Sequence, residues 1–176
     1  YDYLKPIEDR LPADHSMQKI LAMVKLKLGY IAKAAENFEL LQGLTESDVS
    51  LLQSSSIELI KANDFTTAQK LLDKAQQLDP TNARLSAQKG ALLLSQKDLS
   101  GFEALEHALS LDPSLEDVEF SLAMQYLRFD QDIKAQEIAT KWLASSKQEI
   151  SGNLLQGIIY VKQNNNQKAQ QNFEQV

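Results

Sequence analysis

The feature that most constrains this chain is that it repeats itself. Ala-x-x-Leu-Asp-Pro occurs at Ala75–Pro80 and again at Ala108–Pro113, with the prolines 33 residues apart. Pro12 lies 68 residues before Pro80, two steps of 34. A period of this length marks supersecondary units that cannot bury their apolar faces alone and must stack on their neighbours. Ahead of Pro80, the stretch Ile57–Ala62 is an apolar helix, Asn63-Asp64 a polar turn, and Ala68–Ala75 a second helix with apolar residues at helical spacing. The same order recurs around turns at Gly29-Tyr30, Lys97-Asp98, Asp130–Asp132 and Asn164–Asn166. It predicts units over 15–48, 49–82, 83–115, 116–149 and 150–176, the last stopping inside its second helix, with 1–14 as the end of a preceding repeat or a linker. No segment alternates like a strand and the connections are a few residues long, so the chain is predicted to be all-α, a solenoid of tandem antiparallel helix pairs.

Composition removes several function classes. The sequence has 176 residues, no cysteine and two histidines, which excludes a disulfide scaffold and a cysteine-based zinc site. A formal charge of −6 argues against a protein whose main task is gripping nucleic-acid phosphates. No apolar run is long enough to cross a bilayer, so direct membrane insertion by this stretch is not expected. The start at Tyr1 and the stop at Val176 within a helical pattern predict a piece of a longer protein, whose anchor or signal would lie elsewhere.

Numbered from Val49, the second unit has Leu52, Ser56, Leu59, Ala68, Leu72, Ala75 and Pro80 at positions 4, 8, 11, 20, 24, 27 and 32. This pattern resembles the tetratricopeptide repeat (TPR), with its small residues at 8, 20 and 27, large apolar ones between, and proline at 32. Small residues let the two helices approach, and large ones fill the space between them. The resemblance implies a TPR superhelix that binds a protein or peptide partner. Three departures stand out: Lys25 at apolar position 11 of the first unit, Trp142 at small position 27 of the fourth, and Lys147 in place of its proline. The stretches Tyr126–Ala135 and Gly152–Tyr160 further resemble the large TPR lipoproteins of the bacterial PEP-CTERM/exosortase system. That resemblance implies a periplasmic or envelope location, with a lipid-anchored parent, tied to exopolysaccharide export.

The residues offer little catalytic chemistry. A nucleophile needs an oriented base beside it. His15 falls at a helix entrance and His107 on a second helix, and solvated or capping roles account for both. No His-x-x-His pair, calcium loop or glycine-rich phosphate loop is present. Glu116-Asp117 opens a helix, where carboxylates favour the positive dipole end. No catalytic residue, metal site or cofactor is predicted, and the chain is read as non-enzymatic.

By the resemblance, positions 2, 5, 9, 12 and 13 of each first helix line the partner groove. This assigns Ile57, Ile60, Lys61, Arg84, Phe120, Met124, Leu127, Arg128, Ile158, Val161 and Lys162 to it. Helical spacing independently puts Phe120, Met124 and Leu127 on one stripe. The apolar members suit an extended peptide or amphipathic helix. Lys27, Lys61, Arg128 and Lys162 are expected to form a basic ladder. TPR domains that clasp chaperone tails carry Lys at position 5 and Asn at 9 of their first unit. Here Lys19 is followed by Met23, so that ligand class is not expected. The alternative role is a structural spacer or homo-oligomerisation segment, with dimers formed through an apolar C-terminal end around Ile158, Ile159, Ala169 and Phe173.

Overall fold

The computed structural model describes residues 5–8, 10–12 and 16–176, with the side chains of 7, 8 and 16 left out; His15 lies outside the described residues. After the short helix Lys5–Glu8 (α1) come ten helices in five antiparallel pairs. These are Ser16–Lys27 (α2) with Ile31–Leu40 (α3), Val49–Lys61 (α4) with Phe65–Leu78 (α5), Ala83–Ser95 (α6) with Ser100–Leu111 (α7), Glu116–Arg128 (α8) with Asp132–Leu143 (α9), and Glu149–Lys162 (α10) with Asn166–Phe173 (α11). A 3-10 turn, Glu46–Asp48, precedes α4. The first helix of each pair is called A below and the second B. The chain forms two compact units, residues 1–104 and 105–176, and α7 runs from one into the other.

One device closes every pair. The second residue beyond each A helix adopts the left-handed conformation: Gly29 at φ 81°, Asn63 at 62°, Lys97 at 64°, Asp130 at 58° and Asn164 at 59°. The next residue then donates its amide to the carbonyl five residues back, as in Tyr30 to the Lys25 carbonyl (2.9 Å), Asp64 to Leu59 (2.9 Å), Asp98 to Leu93 (3.0 Å), Gln131 to Tyr126 (2.8 Å) and Asn165 to Tyr160 (2.8 Å). This is the Schellman closure, which satisfies the last carbonyls and turns the chain back. Side-chain caps start several of the following helices. Asp64 accepts from the Thr67 amide (3.1 Å), Asn82 from Leu85 (3.2 Å) and Asn165 from Lys168 (3.2 Å).

In the first unit, Ala22, Ala34, Ala68 and Ser56 are wholly buried at the small positions, and Phe38, Leu52, Leu59, Leu71, Leu72 and Leu85 fill the space between the helices. Lys25 is also buried here, and its Nζ donates to Asn37 Oδ1 at 2.5 Å. The cation at an apolar position is thus met by a partner from the facing B helix, which is what a buried charge requires. Lys19 reaches from α2 to Asp48 Oδ2 at 2.6 Å, ahead of α4. Burial raises the Asp48 carboxyl, but bonds from Lys19 and from Thr45 together outweigh it and hold the group below its ordinary range.

In the second unit, Trp142 occupies a place where the repeat favours a small side chain. It is wholly buried, stacks on Phe120 (centroids 6.1 Å apart, 8° between planes) and donates from Nε1 to Glu119 Oε2 at 2.7 Å. Lys141 meets the other carboxylate oxygen at 2.6 Å. Gly152 gives room to the backbone at the end of α9: a Cβ there would stand 2.8 Å from the Leu143 amide nitrogen and 3.0 Å from the Trp142 carbonyl carbon. α10 therefore approaches the end of α9 closely. Gln136 and Gln156 join the same two helices, Gln136 Nε2 donating at 2.5 Å.

Three substitutions test this packing by stability. Lys97→Gly relieves a left-handed lysine and is expected to stabilise the chain by about 1 kcal/mol in urea unfolding. Trp142→Ala is expected to cost about 3–5 kcal/mol by emptying a buried site. Trp142→Phe, which keeps a ring but removes the donor to Glu119, is expected to cost about 1–3 kcal/mol.

Candidate functional site

The A helices carry the residues expected to meet a partner, and side-chain bonds fix how neighbouring A helices run within each unit. In the first unit, Gln88 of α6 donates to Ser56 Oγ of α4 at 2.7 Å. In the second, Ser151 near the start of α10 donates to Glu116 Oε1 at the start of α8 (2.6 Å), and Lys162 at the end of α10 donates to the Leu127 carbonyl near the end of α8. Contacts start to start and end to end make α8 and α10 parallel neighbours.

On α4, Ile57 is exposed, Ile60 half-buried and Lys61 exposed, with Lys61 Nζ 3.0 Å from Glu58 Oε1 on its own helix. Glu58 is held below its ordinary carboxylate range by this bond first, with a further contribution from the Lys27 charge. Arg84 is exposed at the start of α6. On α8, Phe120 and Met124 are half-buried and Arg128 is exposed, its guanidinium 5.7 Å from the Phe129 ring centre. On α10, Ile158 is half-buried and Val161 exposed. The structure thus gathers Phe120 and Met124 with Ile158 on one pair of parallel helices, and Ile57 with Ile60 on another A helix.

Two assigned residues are placed differently from a surface reading. Leu127 is buried, because α10 lies over that end of α8 and Lys162 bonds the Leu127 carbonyl. Lys162 is committed within the chain: its Nζ lies 2.5 Å from Asp132 Oδ1 and 2.9 Å from Asp130 Oδ1. Those bonds, Asp132 first and then Asp130, hold the ammonium above its ordinary range. Lys61 and Lys162 are therefore balanced by carboxylates of this chain, and the faces combine apolar Ile57 and Val161 with exposed Arg84 and Arg128. Sequence reasoning missed the Asp130–Asp132 clamp, although two aspartates in a turn 30–32 residues before a helix-terminal lysine are visible once the period is known.

The B helices carry shallow hollows. One of about 320 Å³ lies along α3 and α5, bordered by Phe38, Thr67, Leu71 and Lys74. Another, of about 480 Å³, lies on α9, bordered by Ile133, Gln136, Thr140 and Gln163. Carboxylates border both as well, Glu39 and Asp73 in the first and Asp132 and Glu137 in the second. Among the described residues no three His, Cys, Asp or Glu side chains are grouped as a metal site, and no helix is long and apolar enough to cross a membrane.

No family model matches the chain, and neither does any curated protein sequence. Solved structures do. A tetratricopeptide repeat protein from Parabacteroides merdae superposes with a TM-score of 0.68 at 11% identity, over 99% of this chain and 69% of that one. A MamA protein of Desulfovibrio magneticus gives 0.66 at 22% identity, covering 90% of each chain. YrrB, a TPR protein with an unusual peptide-binding site, gives 0.63 at 15% identity, over 99% of this chain and 90% of that one. At these identities the likeness is one of fold. The chain has the fold of tetratricopeptide-repeat proteins.

Proposed function

We propose that this chain is a non-enzymatic interaction module that holds a peptide or protein partner on the A-helix faces. The carrying observation is the apolar surface at Ile57 and Ile60 of α4, and at Phe120, Met124 and Ile158 of α8 and α10, in helices whose Lys61 and Lys162 are neutralised internally. Such a face favours an amphipathic segment presenting apolar anchors at helical or extended spacing over an anionic tail. The likeness to YrrB, which has a peptide-binding site, supports the class of ligand.

The finer reading is a bacterial envelope role tied to exopolysaccharide export, in a lipid-anchored periplasmic parent. It is supported by the resemblance carried by Tyr126–Ala135 and Gly152–Tyr160. Fractionating cells that express the parent protein tests it: recovery with the membrane and periplasm is expected, and recovery in the cytosol contradicts it.

Peptide display against the purified chain, followed by calorimetry of the selected peptides, tests the binding face. Ile57→Glu and Met124→Glu, both at surface-facing positions, are expected to weaken the selected peptides about tenfold or more, the scale of an interface anchor. Unchanged affinity in both variants contradicts the A-helix assignment.

A further inference from the structure

The hollow along α3 and α5 lies apart from the A-helix faces and has a specific make-up. Phe38 of α3 and Leu71 of α5, exposed by 0% and 1%, form its apolar floor, and Thr67, Lys70, Lys74 and Gln77 border it. Thr67, Lys70, Leu71 and Lys74 recur at helical spacing and so share one stripe of α5. A volume of about 320 Å³ stands at the lower end of the roughly 300–1,000 Å³ of ligand pockets, which suits one ring system rather than an extended chain.

The charges at its border are met from within the chain. Lys70 pairs with Glu39 across the two helices, and Asp73 Oδ1 lies 2.5 Å from Lys89 Nζ of α6. Lys74 Nζ donates to the Phe38 and Glu39 carbonyls at 3.1 and 3.4 Å, at the negative end of α3. The hollow therefore favours neither an anion nor a cation. One polar group is left over. Thr67 is 6% exposed; its amide donates to Asp64, but its hydroxyl has no hydrogen-bond partner among the described residues. A nearly buried hydroxyl in that state is a group for a ligand to satisfy.

The other repeats show what Thr67 replaces. It stands at position 19 of its unit, where three other units have Lys33, Lys134 and Lys168. Each of those lysines holds its ammonium over a tyrosine ring, Tyr30 at 5.9 Å, Tyr126 at 4.8 Å and Tyr160 at 5.3 Å. Tyr126 and Tyr160 occupy position 11, which in the second unit is Leu59. The second unit thus lacks both the long side chain and the ring, and Lys70 and Lys74 stand beside the space.

We infer that this hollow binds a neutral phenol. Its ring lies on Phe38 and Leu71 with the Lys70 and Lys74 ammoniums at the edge of the site, and its oxygen shares a hydrogen bond with the Thr67 hydroxyl. The ligand brings the hydroxylated ring that Tyr126 and Tyr160 supply in their own units. The inference is independent of the peptide-binding reading, because every residue assigned to that reading lies on an A helix.

Titration of the isotope-labelled chain with para-ethylphenol, followed by amide NMR shifts, tests it. Saturable shifts are expected around Phe38 and from Thr67 to Gln77, and ethylbenzene, which lacks the hydroxyl, is expected to bind about tenfold more weakly. Thr67→Val keeps the shape and removes the hydroxyl. It is expected to lose about tenfold toward para-ethylphenol and nothing toward ethylbenzene, a split that a general loosening of the fold would not produce. Thr67→Lys installs the residue carried by three other units, and is expected to abolish binding of both probes with circular dichroism unchanged. N-acetyl-tyrosinamide separates the sources: binding as tight as that of para-ethylphenol assigns the site to a partner's tyrosine side chain, and much weaker binding assigns it to a free phenol. Shifts that do not saturate, or that fall on the A helices instead of along α3 and α5, overturn the inference. So does ethylbenzene binding as tightly as para-ethylphenol, or a Thr67→Val chain that keeps its preference for the phenol.

Discussion

Everything in this fold depends on closing each A helix with a residue in the left-handed conformation. The six-to-one hydrogen bond that follows sends the chain back antiparallel after three or four residues, and it occurs at Gly29, Asn63, Lys97, Asp130 and Asn164. Those positions are 34, 34, 33 and 34 residues apart, so the repeat visible in the sequence is also a repeat of this turn. With the turn set, small residues such as Ala22, Ala34, Ala68 and Ala135 fall at the helix crossings and large ones between them. Within each unit, neighbouring A helices are joined by side-chain bonds, Gln88 to Ser56 in the first and Ser151 to Glu116 in the second.

The helix pairs were legible in the sequence because period and apolar spacing report on the same packing. Gly29, Asn63 and Asn164 also announce their turns chemically, since glycine and asparagine tolerate the left-handed region. Lys97 does not, and only its place in the period marks it. The two side-chain departures from the repeat had physical answers that sequence alone could not supply. Lys25 is met in its buried place by Asn37 on the facing helix, which accepts a hydrogen bond from it, and Trp142 by Glu119, which accepts from the indole N–H, while Gly152 lets α10 approach the backbone at the end of α9.

The surroundings of the candidate residues were legible in part. Register placed Ile57, Met124 and Ile158 on A helices, and they reach the surface there. It could not show that Leu127 is roofed by α10, because that depends on how the following A helix packs. Nor could it show that Lys162 turns away to the Asp130–Asp132 clamp, because the competition between a ligand anion and an internal carboxylate is decided by geometry.

Hydrogen exchange on the chain, with and without a display-selected peptide, reads the location of the bound partner directly. The account predicts slowed exchange in the segments spanning Ile57–Lys61 and Phe120–Arg128, with the hollows along α3, α5 and α9 unchanged. Protection confined to those B-helix hollows, with α4 and α8 exchanging as before, would contradict it.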